Sequence, residues 1–448
     1  MFLMSNSYVS NLDKPTIIYK GEEDEMVKYL TQLWNSNTEN TFSEINNSYG
    51  LLPENINLQK FKSELSRVSD NLVFRGNFGA YSDKLEKNIS LTKKSIVLNK
   101  DNCKNLYLCM NDFIKYNSIR PELFDKIKYA DIFVKHKNGN NTEPKNFRFL
   151  SNHSNVFKII DKFWTNNLIR ILENNNSLPD KKIVRNTLSR KYSVSIRDLA
   201  VEKLNKFLQG KNIVLLDIKK AFDNVSWKSL NKLLISNLSR KINPEIAKKV
   251  TSQYMFLNTN RIIKYNEKMI NFSKSLATGL PSSTLVFSLM IEQIIYEWKL
   301  KENIGENLII NTFVDDLYLE FNCTDKSLEH INSLIAYLES YDLIINKEKT
   351  KTNIVHLPFS QIDKSDCYLG LPFCSNKKDY ILECINLFQE KYYKLNIKQL
   401  IDIVEDDSSK VKKEIIAFFK YKLYGLLNFD FKEIDVLEIL KFYEKKYK

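Results

Sequence analysis

Cysteine and histidine are scarce in this chain. Six cysteines (Cys103, Cys109, Cys323, Cys367, Cys374 and Cys384) and four histidines are scattered over 448 residues, and none of the short paired spacings that build a zinc site occurs. The cysteines read as reduced thiols of a cytoplasmic protein. No apolar run approaches the roughly 20 residues needed to cross a bilayer. The opening segment, MFLMSNSYVSN, lacks a basic stretch followed by an apolar core, so neither a membrane protein nor an exported one is expected. Wholesale disorder is excluded too, because 43% hydrophobic and 12% aromatic residues supply cores for several lobes. What is in excess is positive charge: 67 Lys and Arg against 54 Asp and Glu, a formal +13. That balance suits a polyanionic partner such as RNA, DNA or a nucleoside triphosphate, and charge alone does not choose among them. The Asn-rich tracts at Asn138 to Asn141 and Asn174 to Asn176 read as polar loops.

The stretch Asn311 to Phe321 places two adjacent carboxylates, Asp315 and Asp316, between two apolar runs too short for helices, where a hairpin would turn. Alone, such a doublet is more often a solvated turn than a metal site. Its surroundings change that weight. Ile213 to Ile218 is a buried-type strand whose apolar run ends in Asp217, and Trp227, Leu230, Leu233, Leu234 and Leu238 follow on one helical face. A loop at Thr278 to Thr284 opens a helix running through Leu285, Leu289, Ile294 and Trp298, with Pro281 at its start. After the acidic hairpin come a helix through Leu328, Ile331, Leu334 and Leu338 and a strand expected at Leu343 to Ile345. Without the inserted helix this is a βαββαβ, ferredoxin-like order, in which the first strand lies beside the hairpin. Asp217 would then meet Asp315 and Asp316.

Upstream, helical spacing is expected over Glu25 to Trp34 and again within Leu52 to Leu72. Ile132 to Val134 and Phe147 to Leu150 read as a hairpin carrying Lys135, Lys137, Lys145 and Arg148, cations able to reach a triphosphate or a nucleic-acid backbone. A basic stretch from Lys181 to Arg197 precedes a helix that Gly210 would stop. Three clustered aspartates are suited to nucleotidyl transfer, in which carboxylates hold divalent ions that activate a 3′-hydroxyl and neutralise a leaving pyrophosphate. Mg²⁺ takes hard oxygen ligands and keeps part of its shell for water or phosphate, so two or three aspartates suffice.

At these residues the chain resembles the reverse transcriptases. Leu216 to Val225 resembles their motif A, Gly279-Leu280-Pro281 the start of motif B, and Phe313-Val314-Asp315-Asp316 motif C. Asn346 to Thr350 is similar to motif D and Tyr368-Leu369-Gly370 to the motif E hairpin. The resemblance implies an α+β right-hand polymerase: an N-terminal extension over residues 1–125, fingers over 126–210, a palm over 211–375 and a helical, thumb-like region over 376–448. It also implies Mg²⁺, with Mn²⁺ as an alternative, held by Asp217, Asp315, Asp316 and the carbonyl of Ile218. Deoxynucleoside triphosphates would be gripped by Arg148, Lys135, Gly279 and the backbone of Lys220 and Ala221. Phe222 would act as the gate against a 2′-hydroxyl, and Lys349 as the proton donor to pyrophosphate.

Motif B departs from the family pattern, because Ser282 and Ser283 stand where Gln-Gly is usual. This resembles the abortive-infection and defence-associated reverse transcriptases of bacteria, which implies antiphage defence, with RNA (including a dedicated non-coding RNA) and a DNA product as partners. Template, primer and a homo- or hetero-oligomeric state stay open. So do two alternatives: an RNA polymerase or template-independent nucleotidyltransferase, and an idle polymerase fold that binds RNA as a scaffold.

Overall fold

The computed structural model describes residues 18–34, 108–110, 112–137, 139–186, 188, 195–305, 307–391, 397–405 and 412–423, with Leu437, Leu440, Lys441 and Glu444. The helix expected within Leu52 to Leu72 lies outside the described residues. In chain order, helix α1 (Glu23–Trp34) precedes a hairpin of β1 (Tyr129–His136) and β2 (Phe147–His153), then α2 (Asn155–Asn174) and α3 (Ile196–Leu208). Strand β3 (Asn212–Asp217) is followed by α4 (Trp227–Lys241), α5 (Pro244–Thr259), the short strands β4 (Ile262–Tyr265) and β5 (Lys268–Ile270), and α6 (Pro281–Lys301). Next come β6 (Leu308–Phe313), β7 (Asp316–Phe321), α7 (Ser327–Glu339), β8 (Lys351–Thr352) and β9 (Ser360–Gln361). A small hairpin of β10 (Cys367–Tyr368) and β11 (Leu371–Pro372) leads to α8 (Lys377–Lys391), α9 (Ile397–Glu405) and α10 (Lys412–Leu423).

The central sheet has the order β6-β7-β3-β8-β9, with β3 antiparallel to both β7 and β8. Its first four strands reproduce the ferredoxin-like arrangement. The aliphatic run of β3 is sorted by the two-residue period of a strand. Val214 and Leu216 join Leu317, Leu319 and Phe321 in a core built on α4, α6 and α7. Ile213 joins Tyr318 in a second core with α3, α8 and α9. The sheet is thus covered on both faces, which is why β3 is almost wholly apolar until Asp217. Among the described residues no helix is long and apolar enough to cross a membrane.

Two features depart from the sequence reading. Between β3 and the acidic hairpin lie not one further helix but α5 and the β4–β5 pair as well, and β4 runs parallel to β1 to make a second sheet, β2-β1-β4-β5. The strand expected at Leu343 to Ile345 is absent. Only a single bridge forms there, Ile218 with Ile345, while the Lys219 N–H donates to the Ile344 carbonyl and the Asn346 N–H to the Asp217 carbonyl, each at 2.8 Å. The buried-exposed-buried alternation of these residues is met by a crossing at the end of β3. Asn346 then accepts from Lys349 and Thr350 in a tight turn, and the ladder resumes at β8.

Helix α6 is buried along nearly its whole length, as a helix apolar on most sides must be. Its N-cap position, Leu280, offers no capping side chain. The cap comes from α2: the Asp161 carboxylate accepts from the Ser282 N–H at 3.0 Å and from the Ser282 hydroxyl at 2.5 Å. A carboxylate there also complements the helix dipole, but burial outweighs these bonds and pushes the Asp161 carboxyl up to about 6. Because the folded state holds this proton more tightly than an unfolded chain, Asp161 favours folding at pH 4 and loses that contribution as pH rises through about 6. The stability of the wild type relative to Asp161→Asn is therefore expected to fall between these pH values, by at most about 3 kcal/mol. Denaturant titration at several pH values checks it; a relative stability that rises with pH contradicts it.

Candidate nucleotidyl-transfer site

The site is assembled by the ends of three strands. In the register of β3 with β7, Asp217 lies directly opposite Asp316, and β6 pairs Phe313 with Asp316, leaving Val314 and Asp315 as the hairpin turn. Residues directly opposite in an antiparallel pair share a face, with Cβ atoms about 4.5–5.5 Å apart, and like charges placed there are destabilising. The carboxyl of Asp316 is accordingly pushed up to about 6, by burial first and then by the charges of Asp315 and Asp217. Asp315 is also raised, again mainly by burial; a backbone hydrogen bond opposes the shift, Asp217 adds to it and the cation of Arg148 opposes it.

The turn itself is unusual. Val314 has φ of +58°, a value that β-branched residues rarely adopt. A positive φ at the first central position alone is the sign pattern of a type II′ turn, where glycine is the normal occupant. The Val314 N–H donates to Asn186 Oδ1 at 2.6 Å. Sequence reasoning missed Asn186, which sits in an irregular segment with no periodic signal.

The β1–β2 hairpin carries the candidate cations. Lys135 stands opposite Arg148, so the two share a face, and both are exposed. Lys137, just past β1, is held below its usual range by burial and by the neighbouring charges of Arg148 and Lys349, against the attraction of Asp223 and Asp217. Lys137 is thus within electrostatic reach of Arg148, Lys349 and Asp217, and Arg148 of Asp315. Lys145 is turned to Glu143 at 2.8 Å.

The turn after β3 is tied down by α1. Lys220 has φ of +50°, and its ammonium contacts the hydroxyl and ring face of Tyr29. Burial brings Lys220 down to about 8; Lys137 and Lys219 add to the shift and Asp223 opposes it. Asp223 accepts from the Trp34 indole N–H at 2.9 Å, and burial raises its carboxyl despite that bond and the nearby lysines. Tyr29 and Trp34 also pack on Phe149 of β2. Neither was identified from sequence, since their partners lie nearly 200 residues away. Ile218 and Ala221 are buried. Phe222 is half-buried and stacked on Phe287 of α6 with ring centroids 5.1 Å apart.

Gly279 lies in the loop before α6 with φ of +113°, and a Cβ there would sit 3.2 Å from the Ser151 carbonyl oxygen of β2. The same loop is held by the Ser151 N–H, which donates to the Thr278 carbonyl at 2.9 Å. Ser282 and Ser283 are both buried; Ser282 binds Asp161 and the Ser283 hydroxyl donates to the Ala277 carbonyl at 2.7 Å. At the β10–β11 hairpin, Leu369 and Gly370 both have positive φ, as a type I′ turn requires. The Tyr421 hydroxyl and the Lys422 ammonium of α10 donate to the carbonyls of Leu369 and Gly370.

Among the described residues, no three His, Cys, Asp or Glu side chains converge closely enough to hold a metal ion. The donors at the strand ends are nevertheless hard carboxylate oxygens, and two of the three carboxyls are raised in pKa with a neighbouring acid contributing. That donor chemistry fits Mg²⁺ or Mn²⁺ and does not fit a thiophilic ion. Gly279→Ala is expected to lower stability by about 1–3 kcal/mol, since it adds both a forced positive φ and a close backbone contact. A denaturant midpoint equal to that of the wild type contradicts this.

A family described as reverse transcriptase (RNA-dependent DNA polymerase) matches residues 135–373. That span is more than half of the chain and contains Arg148, the three aspartates and the β10–β11 hairpin. No curated protein matched the chain. The family match brings with it the right-hand polymerase fold and nucleotidyl transfer of the reverse-transcriptase kind on a nucleic-acid template and product. Such domains generally use divalent metals such as Mg²⁺. The chain belongs to the reverse transcriptase family.

Proposed function

We propose that this chain is a DNA polymerase that joins deoxynucleotides by two-metal nucleotidyl transfer and serves in antiphage defence. The observation that carries the reading is the register of β3 against the β6–β7 hairpin, which collects Asp217, Asp315 and Asp316 at one end of the sheet. When bound, two divalent ions supply activation of the 3′-hydroxyl and charge neutralisation at pyrophosphate. In this reading the three aspartates and the Ile218 carbonyl hold the ions. Lys137 faces the like charges of Arg148 and Lys349, and a triphosphate bound among them relieves that repulsion. Lys135, on the Arg148 face of the hairpin, extends the cationic surface, and Lys349 is the proton donor to the leaving pyrophosphate.

Phe222 acts as the sugar gate, held by its stacking on Phe287. The Lys220 and Ala221 N–H groups meet the phosphates, and Gly279 lets the backbone pass close by the nucleotide. Helices α8 to α10 form the thumb. The motif B departure supports non-standard template use: the hydroxyls of Ser282 and Ser283 are consumed by internal bonds. That position therefore presents no side chain to a template. The defence role rests on the likeness of that motif to bacterial defence enzymes.

Asp315→Ala/Asp316→Ala is expected to reduce Mg²⁺-dependent deoxynucleotide incorporation by about 1,000-fold or more, with salt-sensitive RNA binding retained. Undiminished synthesis overturns the assignment, and RNA binding with no synthesis by the wild type selects the scaffold alternative. Phe222→Ala is expected to raise ribonucleotide use in competition assays; an unchanged ratio removes the gate.

A further inference from the structure

We infer that Asn186 is a positioning residue for the turn bearing Asp315, a buried amide that holds Val314 in its unfavourable backbone conformation and locks the turn to helix α6. The inference rests on the reading of that turn as catalytic. Asn186 is 2% exposed, and both ends of its amide are used. Its Oδ1 accepts from the Val314 N–H at 2.6 Å, and its Nδ2 donates to the Ser288 hydroxyl of α6 at 2.6 Å. Ser288 in turn donates to the Thr284 carbonyl one helical turn earlier, at 2.7 Å. An unbroken chain of hydrogen bonds therefore runs from the first turns of α6 to the backbone between Phe313 and Asp315.

The segment delivering Asn186 is itself fixed along the edge of β6. The Thr312 N–H donates to the Ile183 carbonyl at 2.7 Å, the Arg185 N–H to the Thr312 carbonyl at 2.8 Å, and the Asn311 side chain to the Lys182 carbonyl at 2.6 Å. The approach of Asn186 to Val314 is thus set by the bonds that Lys182, Ile183 and Arg185 make to β6. Val314 supplies the reason a clamp is needed. At φ of +58° a β-branched residue is strained, and strained backbone persists only where its surroundings over-determine it. A glycine at that position would take the conformation freely. Valine there makes the turn conditional on Asn186, and so on the placement of the helix that also carries Phe287 beneath Phe222. Removing the amide would let the turn relax and move Asp315 and Asp316 relative to Asp217. A displacement near 1 Å at such a centre can cost about 100-fold in rate.

The test combines incorporation kinetics with amide hydrogen exchange on the full-length chain. Asn186→Ala is expected to lower kcat for deoxynucleotide addition by about 100-fold with little change in the nucleotide KM, and to speed exchange at the Val314 amide. Ser288→Ala, a milder cut in the same chain, is expected to give a smaller loss of the same kind. Val314→Gly is expected to restore most of the activity lost in Asn186→Ala, because glycine holds the turn without the clamp. A double variant no better than Asn186→Ala overturns the proposal, as does unchanged exchange at Val314 in a folded Asn186→Ala protein. If the wild type incorporates no nucleotide, the polymerase reading fails by itself, and the exchange measurement still decides whether Asn186 holds the turn.

Discussion

Everything at the candidate site depends on the register between β3 and β7. Side chains alternate along a strand, so a slip of one residue would send Asp217 to the opposite face and bury it in the main core. Two aliphatic sets prevent the slip. Val214 and Leu216 are committed to the α4–α6–α7 side and Ile213 to the α3–α8 side, and each set would be misplaced by any shift. The apolar sorting that stabilises the sheet therefore forces two carboxylates into direct opposition at its end, with a third on the adjoining turn. Their mutual repulsion and desolvation, visible in the raised carboxyls of Asp315 and Asp316, is a cost the fold tolerates at one spot.

A second crowding, of opposite sign, stands across from it. Arg148 and Lys137 arrive on the β1–β2 hairpin and Lys349 on the turn before β8, two separate pieces of chain, and the charges of Arg148 and Lys349 both act against that of Lys137. A triphosphate with its divalent ions carries both complements at once, cations for the aspartates and anionic oxygens for the lysines and arginine. Hydrogen bonds and ring contacts tie together the frame holding these clusters. Helix α1 ties the hairpin to the turn after β3 through Trp34, Tyr29 and Asp223, and Asp161 of α2 fixes the start of α6.

Much of this was legible in the sequence because it is written locally. The continuous apolar run ending at Asp217, the acidic hairpin and the cation-bearing β1–β2 pair are all signals carried by short, contiguous stretches of chain. The ferredoxin-like order followed from them. What escaped was long-range. Asn186 meets Val314 across 128 residues, and Trp34 meets Asp223 across 189; a lone Asn in a polar segment and a Trp on an amphipathic helix carry no mark of such partners. The strand expected at Leu343 to Ile345 failed because alternating burial was satisfied by a chain crossing, with one bridge and no ladder. Ser282 and Ser283 stood out as a departure, but the contact of Ser282 with Asp161 depends on the long-range approach of α2, which a local pattern does not carry.

In the proposed function the three aspartates form a cation site completed by a nucleotide. Its most direct measurement is Mn²⁺ binding to the purified chain, followed by electron paramagnetic resonance with and without a non-hydrolysable deoxynucleoside triphosphate. Mn²⁺ uptake by the protein is expected to strengthen when the triphosphate is added, and this gain to disappear in Asp217→Asn. Equal uptake by the wild type and Asp217→Asn in the presence of the triphosphate would contradict it.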